Sequence, residues 1–476
     1  MRVLVIHFRS APAGRLKAER VIVDPLDSAG TDGVSLEIAK RQATLEAMGH
    51  TVAICSAYDW ADFPIPALEF DTEGVSKLVR NLFGPGIVDF ANETELRGVF
   101  DTSRLELKQR LRRAMEDFAP NLIFVHNILS LPVHPVATVS LAELLEKTGV
   151  PCAAIHHDIL SEGAYEFTPT CNFAKSVLGE YFPPRMPNIR HWTINMRNRR
   201  SLAEKGVDAE VIHDTMDFKQ KLEPEERTRI RVLLRAKYDI GPSDVVLFVG
   251  ARIVPNKQTE LAGHLTAVLE SVRHEMVGKT LYHGGVFSDR SRIILLLAGR
   301  SERGFIDYRS NLFELLNTLE IAWRYVGDDV RPFRAEDEGL YALYPDWYAV
   351  ADFVLYPTGW EGFGNQLLEA IAADVPVAVF EYPVFKEDIA PKDVRVVSLG
   401  DTLLPERDYL GLVQIPPEVL GRAAREMMAI LTNPEEFQRI ASHNISVGKE
   451  HFGFDVLRTH LCDAVCWAES HAVGLA

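Results

Sequence analysis

The feature that most constrains this chain is a recurring order: a short apolar run, a glycine- or proline-bearing turn, an amphipathic stretch, then another apolar run. The clearest instance spans 352–380. Asp352–Pro357 (DFVLYP) is too short for a helix and is stopped by Pro357-Thr-Gly359, so it reads as a buried strand. After Gly364, residues Leu367, Leu368, Ile371 and Ala372 fall on one helical face, and Pro376–Phe380 (PVAVF) reads as the next strand. Strand, loop, helix, strand is one unit of a parallel α/β sheet. Gly362 and Gly364 let backbone N–H groups come close to a ligand, and the following helix aims its positive end at the same spot. Glu361 lies in the loop and Glu369 two turns into the helix. Taken singly, either glutamate would pass for a solvated charge. Placed at the two ends of an anion-binding turn, they suit a ligand with phosphate in the middle and hydroxyls at both ends, the shape of a sugar nucleotide.

The same order recurs along the chain. Arg2–His7, Thr51–Cys55, Asn121–His126, Gly149–Ile155, His191–Asn195 and Ala209–Ile212 read as strands of a first half. Gly30 and Gly33 open a helix that Gly49-His50 closes, completing a mononucleotide-binding half without the full dinucleotide fingerprint. The run Gly149–Ile155 delivers His156, His157 and Asp158 at the sheet edge where α/β folds bind ligands. Neighbouring strand residues point to opposite faces, so one of the two histidines at a time faces the cleft; this favours hydrogen bonding over metal binding and leaves a simple packing role equally open. Residues 56–118 are less legible: a Pro-rich stretch, Phe63–Pro66, and a charged helix from Ser103 to Phe118. Lys219–Lys237 reads as linker and helix. Asp244–Gly250, Ile293–Gly299, Trp323–Gly327 and Val394–Ser398 supply further strands of a second half. The expected division is 1–218 and 219–454, with a terminal helix over 455–476 returning to the first domain.

A chain of 476 residues has room for two or three cores. Its net charge of −16 argues against nucleic acid and against docking on anionic membranes. The N-terminal apolar run is too short for a signal peptide, and no run approaches membrane-spanning length. The five cysteines are scattered; Cys462 and Cys466 share a helical face but read as buried small hydrophobes, and the usage fits a reducing cytoplasm.

Together these motifs resemble the retaining glycosyltransferases of family 4, which have the GT-B fold: two Rossmann-like domains facing each other across a deep cleft. The resemblance rests on Gly30-x-x-Gly33, Gly49-His50-Thr-Val52, Ile155-His-His157-Asp158, Val249-Gly-Ala-Arg252 with Lys257, Ala298-Gly299, Val326-Gly327 and the Glu361-x7-Glu369 signature. The chain departs from the family where His213-Asp-Thr-Met-Asp217 replaces Pro-Asn-Gly-Val-Asp, and in a longer first loop. The resemblance implies transfer of a hexose from a nucleotide-diphosphate sugar (UDP-, GDP- or ADP-linked) to an acceptor hydroxyl, by front-face attack with neither metal nor cofactor. It implies that Arg252 and Lys257 neutralise the diphosphate, that Glu361 holds donor-sugar hydroxyls and that Glu369 holds the ribose. His157 lies near the transferred sugar, with His156 the alternative. Gly30, Gly33 and the N–H groups of Gly362, Phe363 and Gly364 approach phosphate and sugar. Gly299, Arg300 and the loop from Gly327 to Val330 line the base pocket. Asp32 is a further candidate for acceptor contact.

The loop Arg9–Asp27 carries Arg9, Arg15, Lys17 and Arg20, which suits either a small anionic acceptor or a simple solvated loop. Trp360 and Phe380–Phe385 resemble family members that make compatible-solute glycosides. A homo-oligomer is compatible with the sequence. Competing classes are a GT-B sugar-nucleotide epimerase or hydrolase, and a non-catalytic sugar-nucleotide-binding protein. The Glu-x7-Glu spacing disfavours the first, and retention of Arg252, Lys257, Glu361 and Glu369 together disfavours the second.

Overall fold

A computed structural model describes residues 1–8, 33–159, 167–331, 334–336 and 339–473. The Arg9–Asp27 loop, Gly30 and Asp32 lie outside them. The described residues form two compact units, one running to Asp214 and resuming at Asp455, the other spanning Thr215–Phe454.

The first unit is a seven-stranded sheet: β1 (Arg2–Ile6), β2 (Thr51–Ser56), β3 (Phe63–Pro64), β4 (Leu122–His126), β5 (Cys152–His156), β6 (Ile189–Thr193) and β7 (Ala209–Val211). The order is β3-β2-β1-β4-β5-β6-β7, with every pair parallel. Both faces are covered, which is why β1 is apolar without alternation. Leu4 and Ile6 pack with helices Glu73–Phe83, Glu93–Phe118 and Pro135–Thr148. Val3 and Val5 pack on the other face with helix Gly33–Ala47 and helix Phe454–Val473, the latter through Leu457, Leu461, Ala464, Val465 and Ala468.

The second unit has strands β8 (Val245–Val249), β9 (Ile293–Leu297), β10 (Ala322–Tyr325), β13 (Phe353–Tyr356), β14 (Val377–Val379) and β15 (Val397–Ser398), with the small pair β11 (Val330–Arg331) and β12 (Tyr341–Ala342) beside them. The sheet order β10-β9-β8-β13-β14-β15 is all parallel. The chain winds outward from β8 in one direction and then from β13 in the other. The point of reversal therefore lies between these two strands, and the loops leaving their C-terminal ends border the crevice where such sheets bind ligands.

Two expectations need correction. The stretch 56–118 is more ordered than its sequence suggests. Phe63–Pro64 is an edge strand, where a missing N–H is tolerated, and the charged helix starts at Glu93, ten residues before Ser103. The start signal was present: the Asn92 side chain accepts from Glu95 N at 3.1 Å, and Glu95 accepts from Ala91 N at 2.6 Å. Cys462 and Cys466 are exposed, because the terminal helix turns its leucine and alanine face to the sheet and these two outward; Cys55 and Cys152 are buried as expected.

The charged segment before β8 holds a helix, as expected. Helix Pro224–Lys237 is tied to the sheet, since Arg231 and Arg235 both reach the carboxylate of Asp352. Asp352 is fully buried and also accepts from Val246 N at 2.7 Å and from the Tyr282 hydroxyl at 2.8 Å. Its own N–H donates to Val246 O at 2.9 Å. One carboxylate thus joins the starts of β8 and β13 to the preceding helix. Burial alone would raise its pKa, but the charges of Arg231 and Arg235 and the Val246 hydrogen bond overcome that and hold it well below the usual aspartate range.

A depressed folded pKa contributes stability that is full above the unfolded value and is lost as pH falls through the folded one. Asp352→Ala is expected to lower unfolding free energy by about 3–5 kcal/mol, since it strands two buried guanidinium groups. In urea titrations at several pH values, the difference between wild type and variant should stay constant above about pH 4 and narrow only below it. A difference under about 1 kcal/mol at pH 7 would show that the ion-pair cluster does not anchor the sheet.

Candidate active site

In the second unit the loops after β8 and β13 are stitched together. Gly359 N donates to Asn256 O at 2.9 Å, and Thr358 Oγ1 reaches the carbonyls of Asn256 and Trp360, each at 3.3 Å. Gln258, in the left-handed region at φ 49°, lies against Gly359, where an added Cβ would come within 2.2 Å of its amide nitrogen. This seam brings Lys257 to Glu361: the ammonium pairs with carboxylate Oε1. The lysine side chain is 5% exposed and the glutamate 16%. The Tyr356 hydroxyl donates to the same Oε1 at 2.7 Å. Among the described residues Oε2 of Glu361 takes no hydrogen bond.

Arg252, on the same loop as Lys257, is half-exposed and pairs with Glu302, a partner that no sequence pattern announces. The structure therefore joins Lys257 to Glu361 and turns Arg252 toward the loop after β9. That loop is fixed to the first by Ile253 N donating to Arg300 O at 2.9 Å. At Gly299 a Cβ would lie 1.6 Å from Ala251 O, so only glycine fits. Arg300 reaches on to Val330 O at 2.6 Å, which brings the expected base-pocket residues Gly299, Arg300 and Val330 together with Gly327, whose own Cβ would strike Gly299 O.

The turn before helix Asn365–Ala372 needs Gly364 at φ 142°, and a Cβ there would meet the Tyr382 hydroxyl at 2.4 Å. That hydroxyl donates to Phe363 O at 2.6 Å, and the Phe363 ring is buried against Phe452. Phe363 is thus an anchor whose backbone, together with that of Gly362, shapes the turn. Glu369, on the second turn of the helix, is buried, and its Oε2 accepts from the Tyr348 hydroxyl at 2.9 Å.

In the first unit the corresponding edge gathers a polar cluster. β4 ends at His126, and Asn127 follows in the left-handed region at φ 59°, a conformation asparagine tolerates. Its Oδ1 accepts from the N–H groups of His157 at 2.8 Å and Asp158 at 3.1 Å, and its amide donates to the Asp158 carboxylate at 2.9 Å. His157 Nε2 lies 3.0 Å from His126 Nδ1, with the rings stacked. His156 has a separate partner, His191 Nδ1 at 2.9 Å. His157 Nδ1 is 3.9 Å from Asp214. Burial, aided by the charges of Arg41 and His7, lowers the His157 pKa well below the usual range; His126 and His156 are lowered chiefly by burial too. Burial and nearby Glu37 raise that of Asp214. At neutral pH the imidazoles of this cluster are uncharged, fit to donate and accept hydrogen bonds. Gly33 opens helix Gly33–Ala47, and on that helix Glu37 and Arg41 form a buried pair at 2.7 Å. His126, Asn127, Arg41 and Glu37 are not singled out by any sequence motif, and Asp214 falls in the segment that departs from the family pattern. The signal available for His126 and Asn127 was their position, where an apolar run meets the ligand edge.

The chain is 33% identical over 429 residues to the mannosylglucosylglycerate synthase of Thermotoga maritima, spanning 90% of this chain and 95% of that one. It is 32% identical over 435 residues to the Petrotoga mobilis protein of the same name, spanning 90% and 97%. Among solved structures it is similar to sucrose-phosphate synthase from Thermosynechococcus elongatus, at TM-score 0.60 with 12% identity, over 98% of this chain and 99% of that one; this is a likeness of fold. No protein-family model matches the chain. With a third of its residues identical to those of the two synthases over nearly their full length, and with two parallel sheets each wound about a central reversal, the chain belongs to their family of GT-B hexosyltransferases.

Proposed function

We propose that the protein transfers a mannosyl group from a nucleotide-diphosphate mannose to glucosylglycerate, with retention of anomeric configuration and without a metal. The observation that carries this reading is the meeting of Lys257 and Glu361 at the reversal point of the second sheet, in a chain related to two synthases named for that product.

The chemistry follows from where charge develops. As the bond from the sugar C1 to the diphosphate oxygen breaks, negative charge grows on the leaving group. Fixed cations in a poorly solvated site stabilise that charge most in the transition state. Lys257, nearly buried, and Arg252, on the same loop, are assigned this role. Glu361, with Oε2 unengaged, accepts from hydroxyls of the transferred hexose, and Glu369 accepts from the ribose. The backbone of Gly362, Phe363 and Gly364 faces phosphate, and Gly299 and Val330 border the base. In front-face attack the acceptor oxygen bonds to C1 as the leaving oxygen departs on the same side and takes the acceptor proton, so no side-chain base is required. Neutral His157 supplies a hydrogen bond to the transferred sugar. Gly30 and Gly33 are assigned to approach of the first loop to the diphosphate, and the basic loop Arg9–Asp27 to the acceptor carboxylate.

Purified protein with UDP-, GDP- or ADP-mannose and glucosylglycerate, followed by NMR in the presence of EDTA, is expected to give one disaccharide glycoside with the donor's anomeric configuration. Inverted configuration, or a requirement for added metal, would overturn the mechanism, and no transfer from any of these donors would overturn the assignment. Lys257→Ala is expected to lower kcat by about 100- to 1,000-fold. For the acceptor, kcat/KM with glucosylglycerate should exceed that with the uncharged glucosylglycerol by at least about tenfold, as one charge-assisted contact would give. Arg9→Ala with Arg15→Ala should narrow the gap; equal use of both acceptors by the wild type would show that the carboxylate is not read.

A further inference from the structure

We infer that two buried tyrosines, Tyr348 and Tyr356, are positioning residues for the two carboxylates of the Glu-x7-Glu signature, and that Tyr348 thereby sets how strongly the ribose is recognised. The inference rests on the assignment of Glu369 to the ribose and Glu361 to the hexose.

Each carboxylate accepts a phenolic hydrogen bond, Glu369 Oε2 from Tyr348 at 2.9 Å and Glu361 Oε1 from Tyr356 at 2.7 Å. Both rings are essentially inaccessible, so neither can touch a ligand through its face. They are held from different directions. Tyr348 lies in the short helix Trp347–Val350, with its ring against Phe248 of β8 and Tyr344. Tyr356 is the last residue of β13, edge-on to Tyr382. A Cβ added at Gly250 would come 3.2 Å from the Tyr348 hydroxyl, so that hydroxyl sits directly beneath the loop that carries Arg252 and Lys257.

A glutamate side chain has three rotatable bonds, and its carboxylate rotates easily about the last. Recognition of a vicinal diol requires the carboxylate plane to be fixed before the ligand arrives. A single donor from a rigid buried ring does this: it pins one oxygen and so directs the lone pairs of the other. At Glu369 a hydroxyl fixes the geometry without neutralising the charge that attracts the diol, whereas at Glu361 the Tyr356 hydroxyl shares Oε1 with the Lys257 ammonium. Burial beside the carboxylates pushes both phenols well above their usual pKa, so they remain donors. The Tyr348 hydroxyl also lies 3.2 Å from Gln366 O, one turn earlier on the same helix, so it gauges the glutamate against the backbone that carries it.

The test is calorimetric titration of the full chain with UDP, GDP and ADP, each beside its 2′,3′-dideoxy counterpart. For the base that binds, the wild type should prefer the ribo form by at least about tenfold, the worth of a hydrogen bond to a charged group. Tyr348→Phe keeps the ring and removes one oxygen. It should cut the ribo-to-dideoxy ratio by about five- to tenfold while affinity for the dideoxy form stays within about twofold of wild type. An unchanged ratio, or equal weakening of both forms, would overturn the inference, the latter by showing a merely structural role. Glu369→Ala is the companion variant. If it abolishes the preference while Tyr348→Phe does not, the positioning role fails and the ribose assignment stands; if it leaves the preference intact, the ribose assignment itself fails. By the same reasoning, Tyr356→Phe should narrow discrimination between nucleotide-linked mannose and glucose in kcat/KM, and an unaltered ratio would remove Tyr356 from the proposal.

Discussion

The second unit depends on Asp352. A buried carboxylate is costly unless paired and fully hydrogen-bonded. Here Arg231, Arg235, Tyr282 and Val246 N supply the donors, from a helix, a loop and the neighbouring strand. The consequence is positional. Asp352 ties the beginning of β13 to the beginning of β8, and parallel strands of like length then place their ends in register. Lys257 follows one end and Glu361 the other. Their contact is thus fixed from the far edge of the sheet by a cluster that touches nothing in the site. The charged helix Pro224–Lys237 supplies the two cations, which is why the segment before β8 is part of the fold and not only a tether.

At the ligand edge the same logic runs on a smaller scale. Each part of the glycine-turn region is held by an atom behind it: Glu361 by Tyr356, Glu369 by Tyr348, the Phe363 carbonyl by Tyr382. Three phenols, from β13, from just after β14 and from the helix before β13, form a layer beneath the glycine turn. Glycine at 364 is dictated from this layer, since the Tyr382 hydroxyl occupies the space a side chain would need. The permissive backbone and the phenolic layer are two sides of one constraint.

This arrangement explains what the sequence could and could not convey. Strands were legible because both faces of each sheet are covered, which leaves uninterrupted apolar runs such as Val245–Val249 and Ile293–Leu297. Lys257, Glu361 and Glu369 could be singled out because they stand at fixed spacings after a strand. The partners that hold them could not. Tyr348 lies 21 residues before Glu369 and reads as one more core aromatic, and only the folded chain brings its hydroxyl to the carboxylate. The role of Arg231 and Arg235 was hidden for a related reason: a charged helix does not reveal which carboxylate it pairs with until the chain is folded. Asn92 and Glu95 were readable in principle, since the capping pattern is local, and were obscured by the proline-rich stretch before them.

The two units treat charge differently at their ligand edges. The second sets opposite charges against each other, Lys257 with Glu361. The first keeps a packed row of histidines, buried deeply enough to hold them neutral beside a cationic Arg41. A neutral ring with its nitrogens already oriented donates or accepts hydrogen bonds without adding charge to this edge. Asn127 completes the effect by fixing the His157 backbone from one side while His126 fixes its ring from the other. Burial that would be wasteful for a titrating histidine is what a hydrogen-bonding one requires, and the lowered pKa of His157 follows from the packing that orients it.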